Sequence, residues 1–217
     1  MGIEREIKLA LPPTQHDDVA RFFDERTGAG KPLQLGNVYF DTPTLALAQA
    51  KAALRLRRMP DEWLQTYKTL GEAKAGMHSR HEWEMPVKGE ALEIDALLAA
   101  CDDEAAREAL EAAAPELVAL FRTDYARIVW DVEHEGSQIE VALDLGEITA
   151  QIDGETRRAE ISELELELKS GDESALESLS AELRGAFPEL DPEDLSKAQR
   201  GYRLREKPRS DLNDAEA

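Results

Sequence analysis

Residues 163–169 read ELELELK, and this strict alternation constrains the fold more than any other feature of the chain. On an extended strand successive side chains point to opposite faces. Glu163, Glu165, Glu167 and Lys169 therefore share one side, and Leu164, Leu166 and Leu168 share the other. Such a strand needs an apolar layer against its leucines and a home for four full charges. The pattern recurs along the chain. Glu4, Glu6 and Lys8 alternate with Ile3, Arg5, Ile7 and Leu9, and Arg55 and Arg57 alternate with Leu54 and Leu56. Arg80, Glu82 and Glu84 alternate with His81, Trp83 and Met85; Glu140, Ala142 and Asp144 alternate with Val141, Leu143 and Leu145. Lys68 shares a face with Thr66. The wet face of an ordinary sheet mixes in Thr, Ser and Gln, whereas full charges of both signs dominate here. If helices cover the apolar face, the charges look either to solvent or into a closed barrel, and about eight strands suffice to close one.

The intervening segments supply the helices. Pro12 and Pro13 end the first strand, Thr14 can cap a helix, and Val19, Phe22, Phe23 and Arg26 follow at helical spacing up to Gly28 and Gly30. Residues 34–41 read as a strand, and 53–58 with 62–69 as a hairpin turned at Met59-Pro60-Asp61. Residues 71–78 read as a flexible loop, and 79–87 as a strand. From 91 to about 120 the chain reads as helical, with Leu92, Ile94, Leu97, Leu98 and Cys101 as its apolar stripe and Pro115 starting or interrupting a second short helix. Strand patterns occupy 122–133, 137–146, 147–153 and 157–170, with a hairpin turn at HEGS. A helix bearing Leu176, Leu179 and Leu183 follows, and a second is expected from Asp191-Pro192, an N-cap followed by proline. Residues 207–217 read as a disordered tail or linker after a domain spanning 1–206. The whole is α+β around a mostly antiparallel sheet.

The formal net charge of −20 argues against nucleic acid or an anionic membrane as partner. A polyanion site must therefore gather its cations in one place. No apolar run approaches the roughly 20 residues that span a bilayer, and no apolar signal core opens the chain, so a cytoplasmic protein is expected. The single cysteine, Cys101, reads as a buried structural residue, and the four histidines show no metal-ligand spacing. Tyr39 and Trp63 read as core or outer-wall packing, and Arg5, Arg58 and Arg158 as solvated. Glu140 is open between the acidic cluster and a lumen arginine. Paired carboxylates hold a hard divalent cation such as Mg²⁺ or Mn²⁺, and paired arginines grip phosphate. Side by side they describe one ligand, a metal-bound oligophosphate.

E-x-E-x-K at Glu4, Glu6 and Lys8 resembles the N-terminal signature of the CYTH superfamily, the triphosphate tunnel metalloenzymes. YFDT at 39–42, LRLR at 54–57, Lys68, RHEWE at 80–84, the Asp144 region, ELELE at 163–167 and SKAQRGY at 196–202 match it in order. IEVALDLGEI, LELELKSGD and SKAQRGY are most similar to the bacterial inorganic triphosphatase branch, whose members often carry a C-terminal histidine-rich helical CHAD domain. The resemblance implies a closed antiparallel eight-stranded β-barrel, a tunnel with a charged lumen and helices packed outside. It implies that Glu4, Glu6, Glu163 and Glu165 ligate Mg²⁺ or Mn²⁺, with Glu165 and Glu167 as the competing pair, and that Asp144 serves a second metal or the attacking water. Lys8, Arg55, Arg57, Lys68, Arg80 and Arg127 would hold phosphates, with Lys197 and Arg200 closing the tunnel. Glu4, Glu6, Lys8, Lys68 and Asp144 would carry the chemistry. The implied activity is metal-dependent hydrolysis of the terminal phosphate of inorganic tripolyphosphate by activated water. The alternatives are a thiamine or nucleoside triphosphatase, an adenylyl cyclase of the same fold, and a non-catalytic polyphosphate-binding module. The sequence leaves oligomeric state open.

Overall fold

A computed structural model of the protein describes residues 2–69 and 71–206. The tail expected at 207–217 lies outside the described residues. Ten strands are formed: β1 (Gly2–Ala10), β2 (Lys31–Asp41), β3 (Ala52–Arg58), β4 (Trp63–Thr69), β5 (Glu72–Lys74), β6 (Met77–Val87), β7 (Val118–His134), β8 (Ser137–Ile152), β9 (Glu155–Ser170) and β10 (Asp191–Pro192). Six α-helices join them: α1 (His16–Thr27), α2 (Ala46–Gln49), α3 (Ile94–Ala100), α4 (Glu104–Ala113), α5 (Ser174–Ala186) and α6 (Lys197–Leu204). None of the described helices is long and apolar enough to cross a membrane.

The pairing order β1-β9-β8-β7-β2-β3-β4-β6 returns to β1, so eight antiparallel strands close on themselves. Closure is visible at β1, where Glu6 lies opposite Glu167 on one side and His78 on the other. A closed sheet leaves no long unpaired edge. β5 and β10 are short additions beside β6 and β1.

The alternation sorts the two faces as the sequence implies. Outside, Leu164, Leu166, Val141 and Trp130 pack with Val19 and Phe23 of α1 and with Leu176, Leu179 and Leu183 of α5. On the far side Leu54, Tyr67 and Trp83 pack under Leu47, Leu97 and Leu110 of α2, α3 and α4. Each fully buried side chain of this kind contributes roughly 1.5–3 kcal/mol, so the outer layers hold the charged inner face in place.

Several local expectations are corrected. Asp191-Pro192 opens no helix; it forms β10 against Leu9 and Ala10. Proline has no amide to donate, which suits this edge position. The last helix starts at Lys197, where Ser196 and Gln199 form a capping box. Thr14 lies in a short 3-10 turn, and α1 begins at His16 without a side-chain cap. Residues 71–78 form the β5–β6 hairpin, turned at Ala75 (φ 53°) and Gly76 (φ 82°), both in the left-handed region that two-residue hairpins require. The strands expected at 137–146 and 147–153 are one strand, β8. The helical stretch after 91 breaks at Cys101, restarts where Asp103 caps α4 by accepting from the Ala106 amide at 2.8 Å, and gives way to β7 at Val118.

Candidate active site

The inner faces of all eight barrel strands surround a cavity of about 460 Å³. Side-chain exposure along β9 rises from 1% at Glu163 through 13% at Glu165 and 28% at Glu167 to 44% at Lys169, so the cavity has a closed end and an open end. Ser196, Lys197 and Ala198 line the closed end, at the start of α6. Toward the open end Lys31 pairs with Asp131 at 3.1 Å in solvent.

At the floor, Asp144, Glu163 and Glu165 offer carboxylate oxygens that all lie within 4.8 Å of one another. Asp144 faces Glu163 across the β8–β9 ladder, and Glu165 follows two residues on. Cations clamp all three. Arg127 donates to both oxygens of Asp144 at 2.7 and 2.6 Å and to Glu165 at 2.5 Å. Lys197 Nζ donates to Asp144 at 2.6 Å, to Glu165 at 3.0 Å and to Glu163. Lys8 Nζ reaches Glu165 at 2.5 Å, and Arg200 reaches Glu163 at 2.8 Å. Burial pushes the carboxyls of Asp144 and Glu165 upward, but Lys197 and its neighbours outweigh it and hold both below their ordinary range. The converse holds for Lys8 and Lys197: burial disfavours their charge, yet the carboxylates keep both above the usual lysine value.

Higher on the wall, Arg80 donates to Glu4 at 2.7 Å and to Glu6, and Lys68 donates to Glu4 at 2.9 Å. Lys8 lies 3.4 Å from Glu6 and 3.6 Å from Glu163, so it joins the N-terminal carboxylates to the floor. Glu4 and Glu6 are held below the ordinary carboxylate range, burial being outweighed at Glu4 by Lys68 and Arg80 and at Glu6 by Lys8 and Arg80.

Arg55 is tied more loosely, to Thr66 at 3.2 Å and Glu84 at 3.4 Å. Arg57 donates to Asn37 at 2.9 Å and approaches the Tyr125 hydroxyl at 3.5 Å. Among the described residues no carboxylate lies within 4.0 Å of its guanidinium. Glu4, Glu6, Lys8, Arg55, Arg57, Lys68, Arg80, Arg127, Glu165 and Lys197 thus line one space, and Asp144 and Glu163 lie just behind it, fully buried under Arg127 and Lys197. Arg200 sits beneath it, against Glu163 and the Glu160 carbonyl.

Glu167 turns away from the floor group. It accepts from Lys169 at 2.8 Å, and burial raises its carboxyl. Glu140 pairs with the same Lys169 at 3.4 Å, which answers neither alternative posed for it. Tyr39 is buried in the core as expected, on the inner side of β2, stacked on Phe121 with ring centroids 4.6 Å apart. Its neighbours Leu33 and Leu35, with Met59, Leu64 and Val129, make part of the lumen apolar. Tyr125, beneath Arg57, Arg127 and Lys197, was missed although it shares the strand phase of Arg127, a signal that attention to charged residues alone passes over. Cys101 is buried and Arg58 and Arg158 are exposed, as expected, while Arg5 is half-buried and pairs with Glu173 at 3.1 Å.

Oxygen-only donors from neighbouring strands, without histidine or cysteine among them, suit a hard divalent cation. The fold is thus a closed antiparallel tunnel with carboxylates and cations on its inner wall and a helix across one end. The chain belongs to the CYTH domain family, whose model matches residues 2–202. It is 36% identical over 206 residues to the inorganic triphosphatase of Haemophilus influenzae, covering 93% of this chain and 54% of that one. The chain thus spans about half the length of this curated relative. Among solved structures it resembles a Hippeastrum candidate adenylyl cyclase described as having a dominant triphosphatase activity. The TM-score is 0.66 at 19% identity, over 94% of this chain and 98% of that one. A candidate adenylate cyclase from Bacillus halodurans matches with TM-score 0.58 at 19% identity, over 92% and 98%. At these identities the two structures establish the fold.

Proposed function

We propose that the protein hydrolyses the terminal phosphate of inorganic tripolyphosphate with the help of Mg²⁺ or Mn²⁺. The observation that carries this reading is the closed-ended cavity itself. Its floor of clustered carboxylates suits a cation, and on its wall Arg57 has no carboxylate within 4.0 Å among the described residues. A chain of net charge −20 that concentrates cations in one cavity has built a site for an anion against its own field. The Haemophilus relative, an inorganic triphosphatase, supports the choice of tripolyphosphate.

Asp144, Glu163 and Glu165 would hold one divalent cation, and Glu4 and Glu6 would contribute from the wall. When bound, the cation supplies charge neutralisation at the phosphate oxygens and acidifies a water. The remaining work falls to the chain. Phosphoryl transfer spreads charge over equatorial oxygens, so rigidly placed donors stabilise it without reorganising. Arg55, Arg57, Lys68, Arg80 and Arg127 are such donors, anchored on strands. Lys8 and Lys197 exchange carboxylate partners for phosphate oxygens, and Arg200 keeps Glu163 oriented.

The test is phosphate release from tripolyphosphate, ATP and thiamine triphosphate, each with Mg²⁺, Mn²⁺ or a chelator. Fast, metal-dependent release from tripolyphosphate, exceeding that from the other two, is expected. Failure to release phosphate from tripolyphosphate under every condition would overturn the proposal. The apolar strip of Leu33, Met59, Leu64 and Val129 favours a second reading, a triphosphate with an organic end lying against it. Preferential hydrolysis of ATP or thiamine triphosphate would select that reading.

A further inference from the structure

The helix that floors the cavity is held from two sides by different chemistry. On its inner side Lys197 and Arg200 bind Asp144, Glu163 and Glu165. These are the carboxylates that the proposed cation would occupy, so a cation competes for these ties, while Arg200 keeps its bond to the Glu160 carbonyl.

The other side is independent of that competition. Gly201 sits against the Phe121 ring so closely that a β-carbon would have no room. Tyr202 packs edge-on to Phe121 at 5.3 Å, and its hydroxyl donates to Asp41 Oδ2 at 3.0 Å. Asp41 is fully buried. Its Oδ1 accepts from the amides of Thr42 at 2.7 Å and Leu47 at 2.8 Å, and its Oδ2 also accepts from Ala48 at 2.9 Å. The carboxylate therefore stands in for the missing side-chain cap of α2, whose flanking Leu45 is left-handed at φ 61°. Four donors satisfy it, and Tyr202 is the one that reaches across from α6. At the far end of α6, Arg157 also holds the carbonyl of Leu204, the last residue of the helix, at 2.9 Å, and Arg205 donates to the Leu120 carbonyl at 3.2 Å.

We propose that the Tyr202–Asp41 bond is a positioning tether that keeps α6, and with it Lys197, in place when a divalent cation takes the floor carboxylates. Both residues lie outside the lumen, so they act through Lys197 rather than on substrate. The tether also gives a role to the Asp of YFDT and to the Tyr that ends SKAQRGY, neither of which lines the cavity. It rests on the floor being the cation site.

The experiment is hydrogen exchange of the α6 amides in wild type, Tyr202→Phe and Asp41→Asn, each with chelator and with saturating Mg²⁺, alongside calorimetric titration of Mg²⁺. Tyr202→Phe keeps the ring against Phe121 and removes one hydrogen bond to a charged acceptor. Wild-type α6 should exchange at similar rates in both conditions. In Tyr202→Phe the helix should remain protected in chelator, where Lys197 and Arg200 still hold it. With Mg²⁺ its exchange should accelerate roughly tenfold to hundredfold, and Asp41→Asn should shift the same way. A purely structural role would loosen α6 equally in both conditions. Equal exchange with and without Mg²⁺ in a variant that binds Mg²⁺ overturns the tether alone. Absence of Mg²⁺ binding in wild type overturns the cation site, and the tether with it.

Discussion

Two arginines in the same cavity should behave in opposite ways when removed. Asp144 is fully buried and leans on Arg127 for two of its three side-chain contacts. Arg127→Ala leaves a buried carboxylate half-compensated, and such losses cost about 3–5 kcal/mol. A denaturant titration should show it. Arg57 has no carboxylate within 4.0 Å among the described residues, so Arg57→Ala should cost less than about 1 kcal/mol while raising the KM for tripolyphosphate by roughly tenfold or more. A comparable loss of stability in both variants would mean that Arg57 is structural. Glu4→Gln should abolish turnover with the far-ultraviolet circular dichroism unchanged, since Arg80 and Lys68 retain Glu6 and Glu82 as partners. At this scale the sequence was readable wherever alternation fixed a side chain's direction, as at Glu4, Arg55 and Glu163. Tyr125 shares the phase of Arg127, and attention to charged residues alone passes over it. The sequence was silent about Tyr202, whose partner Asp41 only the assembled fold brings within reach.

The elements show the same division between local pattern and distant partner. Strand β8 was read as two because its buried face changes side past Asp144, where Leu145 is exposed, while helices α1 and α5 and the strands β7 and β9 were legible from periodicity. The start of α6 was not. Asp191-Pro192 satisfies the local grammar of a helix start, but β1 offers it backbone partners that no local pattern shows. The true start, Ser196, is just as ordinary a signal, and sequence alone does not rank the two. Where α6 lies is decided by Gly201, which lets the helix approach Phe121. Gly201→Ala should push it away from the barrel end, costing about 1–3 kcal/mol by overpacking. Thermal unfolding would show the loss, and a Gly201→Ala protein as stable as wild type would remove the close approach from the account.

Across the whole molecule, the buried charges set a pH range. Glu6, Asp144 and Glu165 have carboxyls held below their usual range in the folded state. Their contribution is complete above the unfolded value near 4 and is lost only as pH falls through the lower folded value. Lys8 and Lys197 are raised, so theirs is complete below about 10.4 and is lost as pH rises through the folded value. The melting temperature in chelator should be flat only between about pH 7 and 8. Below that range His16 and His78, whose protonated forms burial disfavours, pull toward the unfolded chain, and above it the buried Cys101 thiol does. A decline between about pH 7 and 5 that persists in a His16→Gln/His78→Gln variant would contradict the clamped carboxylates. Barrel closure was the least legible feature from alternation alone, since a wet outer face shows the same period, and the family motifs were needed to favour it. That closure has a consequence in time. The seam joins Lys8 to Glu165, almost the whole described chain apart, and contacts of such separation form late and slowly. During synthesis the first strand emerges long before its second neighbour exists and must wait for it. Glu4 and Glu6 meet Glu163 and Glu165 only when that wait ends, so the appearance of activity would serve as a clock for the last event of folding.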